Sequence, residues 1–171
     1  LNAGTNRTYT TSVKTGYRIL SGFARVNYDY NYRYMVSLVA RYDGISKLSD
    51  NRWGFFPGIS AGWNVHEEAF FKDSKFAEVV SLIKPRISYG LNGNVNGIGN
   101  FDVYGKYGSV GAYNGNLGYL NTGVVNSKLR WEKSHTFELG LDLGFFNNRI
   151  HMIMDYYDRT TSDLLTDVNL P

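Results

Sequence analysis

Three short motifs in this chain suggest catalysis. Lys14-Thr15-Gly16, Ser49-Asp50-Asn51 and Ser81-x-x-Lys84 are all present. Together they make up the nucleophile-and-base set of serine acyl-enzymes of the penicillin-binding and β-lactamase type. Here they occur in reverse order. The serine of the Ser81-x-x-Lys84 motif must open a long helix, yet Pro85 follows at once. Proline fixes φ and removes a backbone donor, so it ends any such helix. Matches of three common residues arise easily by chance. No carboxylate pair or nucleophile is evident at a shared strand end, so no enzymatic activity is expected.

Metal chemistry fares no better. The chain has no Cys, which excludes disulfides, thiolate chemistry and Cys-based metal sites. His66, His135 and His151 are far apart and lack ligand spacing. His66 precedes Glu67 and Glu68 without forming H-E-x-x-H. Asp43, Asp50 and Asn51 lie close in sequence, with Gly44 between them. Such oxygen ligands suit calcium, but the spacing fits no EF-hand. Bracing of the loop by Asp43, with Arg41 or Arg52 as partner, is the simpler reading. No cofactor is expected.

The segment 93–132 is the best candidate for ligand contact. It carries Tyr104, Tyr107, Tyr113, Asn114 and Tyr119 among many Gly and Asn residues. Tyr rings stack on sugar faces, and Asn side chains match sugar hydroxyls. Gly lets a backbone approach a ligand closely. The competing reading is a long surface loop without a ligand.

The elements around these residues follow from the pattern. The 171 residues include 14 Tyr, 10 Phe and 19 Gly, with only 19% charged. Soluble domains carry roughly 25% charged residues, so the bias is towards a β-rich protein with long loops. A net charge of +3, without any basic run, gives no reason to expect nucleic acid. No apolar run approaches the ~18 residues of a membrane helix, whereas a barrel strand needs only ~9–11 residues of alternating polarity.

That alternation is pervasive. Val26, Tyr28 and Tyr30 alternate with Arg25, Asn27 and Asp29. Tyr34, Val36, Leu38, Ala40 and Tyr42 alternate with a more polar set, as do Ile59, Ala61, Trp63 and Val65. Ile87, Tyr89 and Leu91 continue the pattern, followed by Phe137, Leu139, Leu141, Leu143 and Phe145. The last strand, about 149–159, alternates less cleanly. Successive strand side chains face opposite sides, so each strand has one apolar and one largely polar face. Six strands are predicted, or seven if 8–17 contributes one.

Connections alternate between short and long. Asn31 and Asn147-Asn148 suit tight turns with positive φ, whereas 43–54 and 93–132 are long. Outer-membrane barrels share this rhythm, with short periplasmic turns and long outer loops. One connection, 67–83, has Phe76, Val79, Val80 and Ile83 at helical spacing and is predicted to be a short periplasmic helix. With Pro85 unable to donate to a ladder, the next strand is predicted to begin near Arg86. Aromatics gather at strand ends, including Tyr28 to Tyr34, Phe55-Phe56 and Tyr156-Tyr157. In a barrel these form interfacial girdles. Segment 52–58 would bring the chain back into the membrane, with Trp53, Phe55 and Phe56 at the interface. The polar-face charges Arg25, Asp29, Arg86, Glu138 and Asp142 would then point inward. A charge facing lipid at the midplane costs roughly 2–4 kcal/mol. A soluble β-sandwich, serving carbohydrate binding or adhesion, remains the alternative.

Several blocks resemble one family. They run through Arg41-Tyr42-Asp43-Gly44, then Asn51-Arg52-Trp53-Gly54-Phe55-Phe56-Pro57, then Ser60-Ala61-Gly62-Trp63 with Glu67-Glu68 and Phe70. They continue through Lys84 to Gly90 with Asn92-Gly93-Asn94, then Asn126, Leu129, Trp131-Glu132 and Gly140-Leu141-Asp142. Asn148-Arg149-Ile150, Asp155-Tyr156-Tyr157 and Thr161 to Leu165 complete the set. In order and spacing these resemble the C-terminal part of the barrel of SusC/RagA-type TonB-dependent outer-membrane transporters, over about 20–166. Pro85, Ile45 and Leu48 depart from the usual pattern.

The resemblance implies an all-β, antiparallel transmembrane segment of about six strands within a barrel of about 22. It implies import of glycan oligosaccharides or peptides in a Bacteroidota outer membrane. Expected partners are the rest of the barrel and its plug, a SusD-like surface lipoprotein acting as lid, and TonB with ExbB and ExbD acting through the plug. Arg41, Asp43, Asn51, Arg52, Trp53, Gly54, Pro57, Trp63, Trp131 and Glu132 would be structural motif residues. Tyr104, Tyr107, Tyr113, Asn114 and Tyr119 would face substrate or lid. Both chain ends read as cuts, and no plug domain is expected within 1–171. Six strands cannot close at that diameter, so this segment alone is expected to need detergent or its missing partners. A folded, monomeric 171-residue chain in plain buffer would instead support the sandwich.

Overall fold

The computed structural model describes residues 14–105, 107–114, 116–121 and 125–165. Eight strands are present: β1 (Ile19–Tyr30), β2 (Tyr34–Ile45), β3 (Trp53–Trp63), β4 (Val80–Asn94), β5 (Tyr107–Tyr113), β6 (Asn116–Asn121), β7 (Glu132–Phe145) and β8 (Ile150–Ser162). Six form one antiparallel sheet in the order β1-β2-β3-β4-β7-β8, while β5 and β6 pair as a separate hairpin inside the β4–β7 connection. The six predicted strands are thus present and adjacent. Most of the seventh candidate, 8–13, lies outside the described residues, and 14–17 is not strand.

Register turns the alternation into two surfaces. Tyr28, Val36, Ala61, Ile87, Leu139 and Tyr156 are successive partners across all six strands. The neighbouring row is Asn27, Ser37, Ser60, Ser88, Glu138 and Tyr157. One face is therefore apolar and the other mainly polar. Among the described residues nothing covers the apolar face, and Ile59 stays 50% exposed at mid-strand. In a sandwich a second sheet would bury that row.

The buried residues lie elsewhere. Ile45, Leu48, Phe56, Val95, Ile98, Val103 and Trp131 form a core among the long connections, with Leu91, Leu129 and Leu165 packed against it. Ile45 and Leu48, which depart from the family pattern, are members of this core. Phe56 corrects an expectation. Alternation turns it away from Phe55, which is 54% exposed, and buries it to 5% exposure instead of leaving it at an interface. Its ring packs edge-on against Trp131, with centroids 5.3 Å apart.

Two prolines mark where the core can form. The β3–β4 ladder covers only Gly58–Gly62 opposite Arg86–Gly90. Pro57 stands just before its start in β3 and Pro85 just before its start in β4, where a missing N–H costs no β3–β4 bond. Beyond Pro57 the two strands pair only with their other neighbours, β2 and β7. There the Phe56 ring occupies the space a Cβ on Gly54 or Gly93 would need. The expectation that β4 begins near Arg86 is corrected. It begins at Val80 and passes through Pro85, supported on the β7 side by Leu141.

The other end of the sheet is tighter. Asn31 and Tyr32 both have positive φ in the β1–β2 turn, as do Phe146, Asn147 and Asn148 between β7 and β8. Connection 67–83 is not one helix. It breaks into the helical turns Val65–Glu67, α1 (Ala69–Lys72) and Lys75–Glu78, and β4 takes over from Val80. Ser81 ties this end together by accepting from the Asn148 amide at 2.9 Å.

Replacing Gly93 by Val should force the Phe56 ring out of place. Overpacking of this kind costs ~1–3 kcal/mol. The full-length barrel should then unfold at a lower temperature in a heat-modifiability gel shift, and an unchanged transition would contradict the wedge.

Candidate functional site

The tyrosine segment is built on an anchor. Val103 sits in the helical turn Asp102–Tyr104 and is buried in the loop core. The Gly99 amide donates to Asp102 Oδ2 at 2.6 Å, which fixes the approach to that turn. Tyr104 then points away from the core, 57% exposed, and β5 begins at Tyr107. This hairpin was not foreseen, because the Gly- and Asn-rich stretch shows no clean period of two.

Within the hairpin, Tyr107 pairs with Asn121 and Ser109 with Tyr119. Tyr107 and Tyr119 are therefore diagonal neighbours on one face, a spacing within reach of aromatic side chains. Both rings are largely exposed. Gly111, with φ +118°, sits at a register shift beyond Ser109, a conformation suited to glycine. Asn114 takes positive φ in the tip. Tyr113 ends β5, but its side chain lies outside the described set. The structure thus places Tyr107 and Tyr119 on a shared surface of the hairpin, Asn114 at its tip and Tyr104 in the helical turn before it.

The motif residues knit the long connections beneath this unit. Trp131 Nε1 donates to the Arg52 carbonyl at 3.1 Å, and Asn51 Nδ2 donates to the Lys128 carbonyl at 3.2 Å. Lys47 Nζ reaches the Ile98 carbonyl at 2.9 Å. Trp53 stacks on Tyr42 with ring centroids 5.1 Å apart and covers Gly44. Glu132 opens β7 opposite Asn94. Asp43 is fully buried, with Arg41 2.5 Å from its Oδ2. Arg52 instead turns its Nε to the Ser49 carbonyl. Asp50 Oδ1 accepts from Ser49 Oγ at 3.5 Å, so Asp43, Asp50 and Asn51 have separate partners. Among the described residues no group of three or more His, Cys, Asp and Glu gathers as a metal site. His135 faces the Tyr89 hydroxyl at 2.8 Å, and His66 faces the Ile83 carbonyl at 3.3 Å.

On the polar face a charge bridge spans three strands. Arg86 pairs with Gly140, which pairs with Asp155. With no Cβ on Gly140, the guanidinium crosses it, reaching Asp142 Oδ1 at 2.9 Å and Asp155 Oδ1 at 3.0 Å. The sequence marked Arg86 and Asp142 as polar-face charges, and Asp155 only as part of a family block.

At the short-turn end the sequence missed a carboxylate hub. Glu68 Oε1 accepts from the Tyr34 hydroxyl at 2.7 Å and from Trp63 Nε1 at 3.1 Å. Arg33 Nη1 lies 3.3 Å from Glu68 Oε2. Tyr34 stacks between Tyr30 and Trp63, so one carboxylate fixes the polar tips of an aromatic row. Hydrogen bonds from Tyr34 and Trp63, with the Arg33 charge, outweigh burial and hold the Glu68 carboxyl below its usual range. A depressed pKa stabilises the fold above the ordinary Glu value of about 4.3, and that stability is lost as pH falls through the folded-state value. Unfolding followed from pH 7 downward should show stability falling below the ordinary Glu value of about 4.3, and Glu68→Gln should make that fall shallower. Parallel curves for the two proteins would remove Glu68 from the account.

On comparison with known proteins, a family model described as TonB dependent receptor-like, beta-barrel, matches residues 1–171. The chain is 38% identical over 169 residues to the TonB-dependent receptor SusC of Bacteroides thetaiotaomicron, covering 94% of this chain and 16% of that protein. It is 37% identical over 158 residues to TonB-dependent receptor P39 of Formosa agariphila, covering 92% of this chain and 15% of that protein. A solved structure of the RagAB peptide transporter superposes with a TM-score of 0.80 at 31% identity, over 91% of this chain and 17% of that one. This chain therefore spans only a small part of the length of the relatives it matches. The uncovered apolar face, the open six-stranded sheet and these matches together establish that the chain belongs to the TonB-dependent receptor-like β-barrel family.

Proposed function

We propose that this chain forms part of the wall of an outer-membrane active importer, with the hairpin β5–β6 contacting cargo or the lid that closes over it. The observation that carries this is the hairpin itself. It forms a separate sheet within the β4–β7 connection, follows the core residue Val103, and presents Tyr107 and Tyr119 on one face. In this reading the apolar face meets lipid and the polar face lines the lumen. The short turns are periplasmic, and 93–132 is an outer loop. The wall does no chemistry and stays rigid while the plug moves, driven by TonB with ExbB and ExbD. A SusD-like lipoprotein closes the outer side, and the cargo is a glycan oligosaccharide or a peptide. Likeness to SusC and to a structure described as a peptide transporter supports this class without choosing between cargoes. A soluble sandwich is disfavoured, because the apolar row has no covering sheet among the described residues.

The test uses the full-length transporter with its partners. Tyr107→Ala and Tyr119→Ala should each raise the half-saturation concentration for uptake several-fold, given stacking contributions of ~0.5–1.5 kcal/mol per ring. Surface abundance and heat-modifiability should not change. Wild-type uptake by a variant lacking the whole hairpin would sink the proposal.

A further inference from the structure

The β3–β4 connection is far longer than the other two turns at its end of the sheet, and its path is set by Glu68. Tyr34 and Trp63 belong to the apolar face by register, being mutual partners there. Glu68 accepts from both, so the start of the connection is held on the apolar side of the sheet's end. Phe70 follows directly, 64% exposed on the short helix α1, and Phe76 is 73% exposed further along. Exposed Phe rings in a connection tied by Glu68 to a stacked Tyr–Trp row suit an aromatic girdle at a membrane interface. Next to that row the apolar face has a hollow of ≈ 370 Å³, walled in part by Val36, Ala61, Ile87 and Leu139. Its small floor residue, Ala61, leaves room for a hydrocarbon chain.

We propose that this connection is a membrane-interface anchor, with Phe70 inserted among the lipids of the leaflet on the short-turn side. The proposal rests on the barrel reading above. Its ligand is a zwitterionic phospholipid leaflet. Charges argue against selection of anionic headgroups, since Glu67, Glu68, Asp73 and Glu78 outnumber Lys72 and Lys75 even when Arg33, the partner of Glu68, is added. Lys72 is moreover already paired with Glu67 at 2.6 Å. Insertion is then driven by apolar area, so it is insensitive to salt.

The experiment places spin labels on the full-length transporter in phosphatidylcholine nanodiscs and compares collision with oxygen and with a water-soluble nickel chelate. Labels go at Phe70→Cys and, should that variant fail to assemble, at Phe76→Cys. Ile59→Cys reports mid-strand lipid and Asp50→Cys reports water. The Phe70 label is expected to favour oxygen, with chelate accessibility several-fold below that of Asp50→Cys in both low and high salt. A chelate-accessible Phe70 label, or one shielded from both reagents by another protein segment, overturns the anchor while Ile59→Cys still reads lipid. A chelate-accessible Ile59 label overturns the barrel reading itself.

Discussion

Everything in this chain depends on the antiparallel ladder. Backbone N–H and C=O groups have no water partner in a hydrocarbon layer, so a spanning sheet must satisfy them between strands. Once pairing fixes the register, side chains have no further choice of face. A single row can therefore read Tyr, Val, Ala, Ile, Leu, Tyr across six strands, and its neighbour Asn, Ser, Ser, Ser, Glu, Tyr. The sheet is an open wall, and its first and last strands each present an unpaired edge among the described residues.

The ladder is also interrupted in a controlled way. β3 and β4 share a short run of partners between two prolines, and past Pro57 the strands no longer pair with each other. A core forms beside that gap, built from residues of three connections and two strands, with Phe56 between Gly54 and Gly93. This core does the packing that the sheet faces do not. It fixes Val103, and Val103 fixes the root of the hairpin. The long connection is thereby given a defined base.

At the opposite end the same economy appears with polar groups. Glu68 gathers Tyr34, Trp63 and Arg33, while Arg86 crosses Gly140 to two carboxylates. Both arrangements join strands that the backbone ladder alone would leave free to shear. The first stiffens the aromatic row at one rim, and the second stiffens the polar face across β4, β7 and β8.

Period-two alternation is a local property, so the sequence by itself determined the six strands of the main sheet, their two faces, the rhythm of turns and the family. Ile87, Tyr89 and Leu91 announce their face without any knowledge of β3 or β7. Ordered blocks such as Asn51 to Pro57 carry the family because their spacing survives in one dimension. What the tertiary structure decided depends on partners distant in the chain. Pro85 reads as a strand start, yet β4 runs through it because β7 supports the other edge. Phe56 reads as a girdle residue, yet it is buried because Gly93, far along the chain, leaves the space. The helical spacing in 67–83 gives way where Val80 finds Phe145 across the ladder. Asp155 joins Arg86 only because Gly140 lies between them. The hairpin β5–β6 was hidden because Gly and Asn carry no polarity period. Apart from that local hairpin, the deciding energy is a contact between residues that sequence order does not bring together.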